Sequence, residues 1–205
     1  MDVMLSDTAA LLVIDVQEAL DDPRRPPRNN PDAEANIARL LAAWRLTGQR
    51  CVHIRDDSLD PASPFAPGQP GNAIKAIVAP LADEWLIPKH FHSAFIGTDL
   101  EARLRDAGIT TLVVTGLVAN QCVESTARMA GNLGFDTYVV GDATAAYDST
   151  GPDGTHYAAD AIHAMTLMNL HKEFATITTT DAVLAAVASP SGMSVPSDDA
   201  SSQRR

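Results

Sequence analysis

Three residues of different chemistry end or follow apolar runs: Asp15 after "LLVI", Lys89 at the close of "EWLIPK", and Cys122 after "TLVVTGLVANQ". The thiolate is the nucleophilic form of cysteine; a carboxylate can take the thiol proton and a nearby ammonium favours the charged state. If the fold brings the three side chains together, they are the parts of a covalent nucleophile. Each also has a plainer reading. Asp is depleted in strands and costly to bury alone, so Asp15 serves either chemistry or the capping of a turn or helix. Lys89 by itself reads as a lysine snorkelling to the surface, and Cys122 as a small buried hydrophobe. Cys122, however, falls in the first turn of an expected helix. Unpaired N–H groups and the helix dipole favour an anion there, which predicts a thiol pKa well below ~8.5.

The elements that must position these residues alternate along the chain. Apolar, β-branched runs at 10–16, 51–55, 85–89, 111–116, 137–142 and 174–180 read as strands buried on both faces. Helical patterns lie at 32–48, 99–108, 121–134 and 156–172, and Gly48, Gly108 and Gly134 suit left-handed C-caps. Alternation of this kind implies right-handed crossovers and a parallel sheet covered on both sides. Such sheets bind ligands beyond the carboxyl ends of their strands, the edge that carries Asp15, Lys89 and Cys122. The Pro- and Gly-rich stretch 58–74 breaks the alternation and reads as a binding loop or an insertion. One domain is expected over 1–188, followed by a disordered polar tail over 189–205.

Composition narrows the function. With 205 residues, 45% of them hydrophobic, the chain can bury one sizeable core. A net charge of −11 argues against nucleic acid as a partner. No stretch approaches the ~20 apolar residues of a membrane span, and the N-terminus lacks a signal-peptide pattern, so no membrane association and a cytoplasmic location are expected. Cys51 and Cys122 are the only cysteines and lack CxxC spacing, so neither a disulfide framework nor a zinc site is expected of them.

The blocks "LLVIDVQ", "PKHFHSAFIGTDL" and "VTGLVANQCVESTAR", with "LGFDTYVVGDATAAYD" and "LHKEFATITTT", resemble the isochorismatase-like cysteine hydrolases in order over residues 7–186. The resemblance implies a three-layer αβα sandwich on a six-stranded parallel sheet. It places Asp15, Lys89 and Cys122 on the family's catalytic triad. It also implies a cis peptide at Leu117–Val118, with the Val118 and Cys122 amides aimed at one point as an oxyanion hole. By position, Gln17, Phe91, Asn120 and Tyr147 are candidates to touch substrate; packing is the competing role for Phe91 and Tyr147, and helix capping for Asn120. A homo-oligomer, dimer or tetramer, is the family's habit.

Cys122 points to the amide-cleaving branch, which includes N-carbamoylsarcosine amidases, ureidoacrylate hydrolases and streptothricin hydrolases, because vinyl-ether cleavage by isochorismatases needs no thiol. Where nicotinamidases have an Asp-x-His metal pattern, this chain has Asp56 and Ser58, so no metal and no cofactor are expected. His53 reads as a core residue, and His163 and His171 as packing or surface residues. The expected activity is metal-independent hydrolysis of a small amide, ureido or lactam C–N bond through a thioester. The alternatives are isochorismatase-type ether hydrolysis, nicotinamidase activity, or an idle homologue that only binds.

Overall fold

A computed structural model describes residues 3–188, so the expected tail over 189–205 lies outside the described residues. Six strands form one sheet: β1 (Ala10–Ile14), β2 (Cys51–Asp56), β3 (Trp85–Lys89), β4 (Thr111–Leu117), β5 (Asp136–Ala145) and β8 (Thr176–Thr178). Their order is β3-β2-β1-β4-β5-β8, and every pairing is parallel. The helices are α1 (Ala33–Thr47), α2 (Leu100–Asp106), α3 (Glu124–Asn132), α4 (Ala159–Leu170) and α5 (Thr180–Ala188). All six strands stand where the apolar runs put them.

The two faces of the sheet follow from side-chain alternation. Along β1, Leu11 and Val13 enter one core with Ile37, Leu41 and Trp44 of α1 and Val183 of α5. Leu12 and Ile14 enter the other with Leu100 and Leu104 of α2, Ala127 of α3 and Leu170 of α4. A strand covered on both faces has no polar face to alternate with, which is why these runs are continuously apolar. At the usual ~25 cal/mol per Å², each buried Leu or Ile contributes roughly 1.5–3 kcal/mol.

Three local features depart from the sequence reading. α5 follows "FATITTT" directly and was not expected there; its Val183 and Thr180 are buried against the sheet. The helix expected from 156 begins at Ala159, because His156–Tyr157 (β7) pair with Ser149–Thr150 (β6) in a small antiparallel ribbon. The helix expected from 121 is preceded by a π-helical turn over Ala119–Val123, and Cys122 sits in that turn, not in α3. Gly48, Gly108 and Gly134 have φ of 70°, 68° and 83°, the left-handed values expected of C-caps. Among the described residues no helix is long and apolar enough to cross a membrane.

Candidate active site

The site forms where β1, β2, β3 and β4 end together. Asp15 leaves β1 with φ 51°, a left-handed conformation that Asp adopts more readily than most residues. Its amide donates to the Ile54 carbonyl at 3.0 Å, so the turn is tied to β2. Gly116, beside Ile14 in the register, has φ 121°. A Cβ at Gly116 would lie 2.1 Å from the Ile14 carbonyl oxygen, so only glycine lets β4 pass this close to β1. Beyond it the Leu117–Val118 peptide is cis, at the position the family resemblance implied.

Asp15, Lys89 and Cys122 come together at this edge. The Lys89 ammonium, 1% exposed, stands 2.7 Å from Asp15 Oδ2 and 3.5 Å from Asp56 Oδ1. It donates to Cys122 Sγ at 3.5 Å. A lysine at the end of an apolar strand does not snorkel here, because two carboxylates compensate its charge inside. Neither Asp15 oxygen accepts an aligned hydrogen bond, although the ion pair is close.

The electrostatics follow from that arrangement. Burial raises the Asp15 carboxyl from 3.8 to about 6, against the opposing charge of Lys89. Burial lowers the affinity of Lys89 for its proton, but the charges of Asp15, Cys122 and Asp56 outweigh it and hold the ammonium above its ordinary range. The Cys122 thiol is pushed up by burial and then by Asp15, with Lys89 opposing. This corrects the expectation of a depressed thiol pKa: Cys122 does stand in an opening helical turn, but burial and then the adjacent Asp15 carboxylate disfavour the thiolate. Above about pH 6 the resting pair is therefore thiol and carboxylate, a nucleophile and a base holding their protons in the order that deprotonation requires.

Asp15, Asp56, His92, Leu117, Val118 and Cys122 line a small cavity of about 90 Å³, with Arg25 and Phe65 among its remaining walls. Of the substrate-contact candidates, Gln17 is elsewhere. It is fully buried, its amide nitrogen donates to the Asp56 and Asn72 carbonyls, and its oxygen accepts from the Asp56 amide, so it staples the strand ends. Phe91 is 54% exposed and does not line the cavity; its ring covers Gly97. The buried Oδ1 of Asn120 accepts no hydrogen bond, so it caps no helix, and with Tyr147 Asn120 lines an annex of about 190 Å³ that shares Arg25, Val118 and Gln121 with the cavity. Tyr147 also donates to the Leu20 carbonyl at 2.8 Å.

Sequence reasoning missed several lining residues. His92 Nδ1 is 3.5 Å from Cys122 Sγ. Asp56 ends β2 as Asp15 ends β1, a signal that could have found it. Arg25 and Phe65 come from irregular segments, where no period announces direction. His53 is a core residue with one partner, Glu84 at 2.9 Å, and His163 meets the Thr144 hydroxyl at 2.9 Å. The 58–74 stretch contributes Phe65 to the cavity wall and is tied to the end of β2 through Asn72, whose amide donates to the Asp56 and Phe65 carbonyls and to Asp57 Oδ1.

A six-stranded parallel αβα sandwich with Asp, Lys and Cys at the carboxyl edge defines a class, and the chain's relatives agree with it. The sequence profile of the isochorismatase domain matches residues 9–182, and the chain belongs to the isochorismatase family of hydrolases. It is 47% identical over 180 residues to the isochorismatase-family protein YrdC of Bacillus subtilis, covering 88% of this chain and 96% of that one. It is 31% identical to the ureidoacrylate amidohydrolase RutB of Methylobacterium radiotolerans, covering 74% of this chain and 71% of that one. The crystal structure of an isochorismatase-family hydrolase from Chromobacterium violaceum superposes with a TM-score of 0.90 at 46% identity, over 92% of this chain and 98% of that one.

Proposed function

We propose that the chain is a metal-independent cysteine hydrolase that cleaves the C–N bond of a small amide, ureido or lactam compound through a thioester. The observation that carries this reading is the contact set of Cys122 Sγ, Lys89 Nζ and the Asp15 carboxylate, with Asp15 and Cys122 on the wall of one cavity and Lys89 buried behind them. Asp15 takes the thiol proton as sulfur attacks the carbonyl carbon. Lys89 offsets the charge that moves onto sulfur and fixes the carboxylate. The amides of Val118 and Cys122, both on the cavity wall, hold the oxyanion that forms. As the tetrahedral adduct collapses, the C–N bond breaks and Asp15 returns the proton to the leaving nitrogen. Asp15 then takes a proton from water as hydroxide adds to the thioester carbonyl; the adduct collapses with cleavage of the C–S bond, the proton on Asp15 passes to Sγ, and the acid product leaves with the Cys122 thiol restored.

The cavity's size suits a compact amide or ureido head. Polarisation by backbone amides supplies what a Lewis acid would otherwise provide, and Ser58 stands where a nicotinamidase-type pattern has its histidine. Amide cleavage is also in keeping with the similarity to an amidohydrolase. The test is to screen purified protein against amides, ureas, lactams and isochorismate, detecting ammonia and product. A covalent adduct on Cys122, seen by intact mass after rapid quench, is expected with any amide turned over. Turnover of isochorismate alone, or amide turnover that survives Cys122→Ala, would overturn the reading.

A further inference from the structure

Arg25 is a cation whose partners leave its charge unspent. Its Nε donates to the Ala19 carbonyl at 3.0 Å. The guanidinium carbon lies 5.7 Å from the Phe65 ring centre and 5.4 Å from that of Tyr147. Contacts with the two rings hold the group without neutralising it, and with Nε engaged the two terminal nitrogens remain for an in-plane, two-point contact. Among the described residues no carboxylate forms an ion pair with Arg25, whereas its sequence neighbour Arg24 is paired with Asp22. The loop that carries Arg25 is anchored: the Asn29 amide donates to the Ala146 carbonyl at 3.1 Å, Asn29 Oδ1 accepts from the Ala146 amide at 2.8 Å, and the Asp148 amide donates to the Pro27 carbonyl at 2.8 Å.

Arg25 also stands at a junction, on the walls of both the cavity that holds Cys122 and the annex beside it. Lys89, buried behind the cavity wall, is committed to Asp15 and Asp56. A chain with a net charge of −11 thus presents one uncompensated, preorganised guanidinium to its reaction cavity. We propose that Arg25 receives a carboxylate carried by the substrate, so that the substrate class is a small amide or ureide with an acid group a few atoms from the scissile carbonyl. A carboxylate fits the guanidinium fork in two parallel hydrogen bonds, which a neutral carbonyl cannot form. This inference rests on the hydrolase reading above and adds the anionic handle to it.

The test compares two alkylating probes that differ in that group, iodoacetate and iodoacetamide, on full-length Cys51→Ala protein, with Cys122 as the only thiol. Rates are compared with those of the same protein carrying Arg25→Gln or Arg25→Lys. Arg25→Gln is expected to slow iodoacetate tenfold or more and iodoacetamide less than threefold, with Arg25→Lys between. If Arg25→Gln does not fold, the parent protein decides: added sodium chloride should slow iodoacetate and leave iodoacetamide unchanged, because screening weakens an attraction. Equal slowing of both reagents by Arg25→Gln, or an iodoacetate rate that salt raises, would overturn the proposal. Failure of the hydrolase reading looks different. Cys122 would then show no turnover with any amide, while the ratio of the two alkylation rates would still report on Arg25.

Discussion

Two buried lysines each bridge two carboxylates, and the contrast between them separates a structural cluster from the one proposed to react. Lys75 meets Asp21 at 2.5 Å and Glu34 at 2.8 Å, and Glu34 also takes a two-pronged contact from Arg28. Lys89 meets Asp15 at 2.7 Å and Asp56 at 3.5 Å, and its next neighbour is a thiol, not a second cation. Burial raises both Glu34 and Asp15, but at Glu34 the hydrogen bonds from Arg28 and Lys75 win and lower it to about 2. At Asp15 burial wins and the carboxyl sits at about 6. A second cation balances the two carboxylates of the first cluster and makes it a staple; its absence leaves the second with a carboxylate that binds a proton near neutrality, which suits the base role proposed for it.

The largest expected effect separates the two cysteines that flank this contrast. Cys122→Ala should lower kcat on the order of 10³-fold or more with an unchanged circular dichroism spectrum. Cys51→Ala should leave kcat within about twofold, since that thiol lies at the start of β2, away from the cavity, with burial and Glu84 pushing it up to about 12. Residual turnover within tenfold in the first variant would dissolve the distinction.

Exchanging the lysines comes next. Lys89→Met should cost kcat roughly 10²-fold or more, because it removes the charge facing both base and sulfur. Lys75→Met should keep kcat within a few-fold and lower the unfolding free energy by about 1–3 kcal/mol, read from urea denaturation. Similar kinetic losses in both would show that Lys89 is no more than a staple.

The pH dependences should run in opposite senses. The native carboxyl of Asp15 binds its proton more tightly than the unfolded one, so its ionisation costs stability as pH rises from 3.8 to about 6, while kcat/KM rises over the upper part of that range. Below about pH 6 the rate should fall toward tenfold per unit. Glu34 contributes stability that is complete above its ordinary 4.5 and lost as pH falls through about 2. In Glu34→Gln, acid unfolding should lose that contribution while the kinetic profile stays in place. A kinetic profile flat from pH 5 to 7 would remove Asp15 as the base.

Smaller effects sharpen the edges of the site. His92→Gln should lower kcat about three- to tenfold, since one imidazole contact to sulfur is lost while Asp15 remains. The smallest expected effect is none: extensive chelation should leave kcat unchanged. If chelation abolishes activity and added zinc or iron restores it, the comparison of clusters has omitted a metal site.

Legibility in the sequence varied with periodicity. Strands covered on both faces announce themselves as unbroken apolar runs, so all six were readable, and Asp15 and Lys89 stood out because a charge at the end of such a run is anomalous. α5 was not readable, because "TDAVLAAVA" follows a strand with no turn residue between them. The π-helical turn under Cys122 was hidden for a related reason: its residues suit an ordinary helix start, and no local pattern marks the wider turn. Gln17 and Phe91, expected near the substrate, do not line the cavity, because closeness in sequence to a site residue does not fix side-chain direction. Gln17 turns inward to satisfy three backbone groups, and Phe91 turns outward over a glycine.

By itself the sequence determined the alternation of strand and helix, and hence the edge at which Asp15, Lys89 and Cys122 stand, because periodic burial is a local property of the chain. Only the tertiary structure decided how those groups ionise and what surrounds them. The Asp15 carboxyl is raised and the thiol kept protonated by burial and by each other's charge, which depend on distances between residues up to 107 positions apart. Arg25 and His92 reach the cavity from irregular segments whose course is set by hydrogen bonds to distant backbone, such as those joining residues 27–29 to 146–148. Coulomb energy and desolvation are functions of position in space, and no local pattern encodes them.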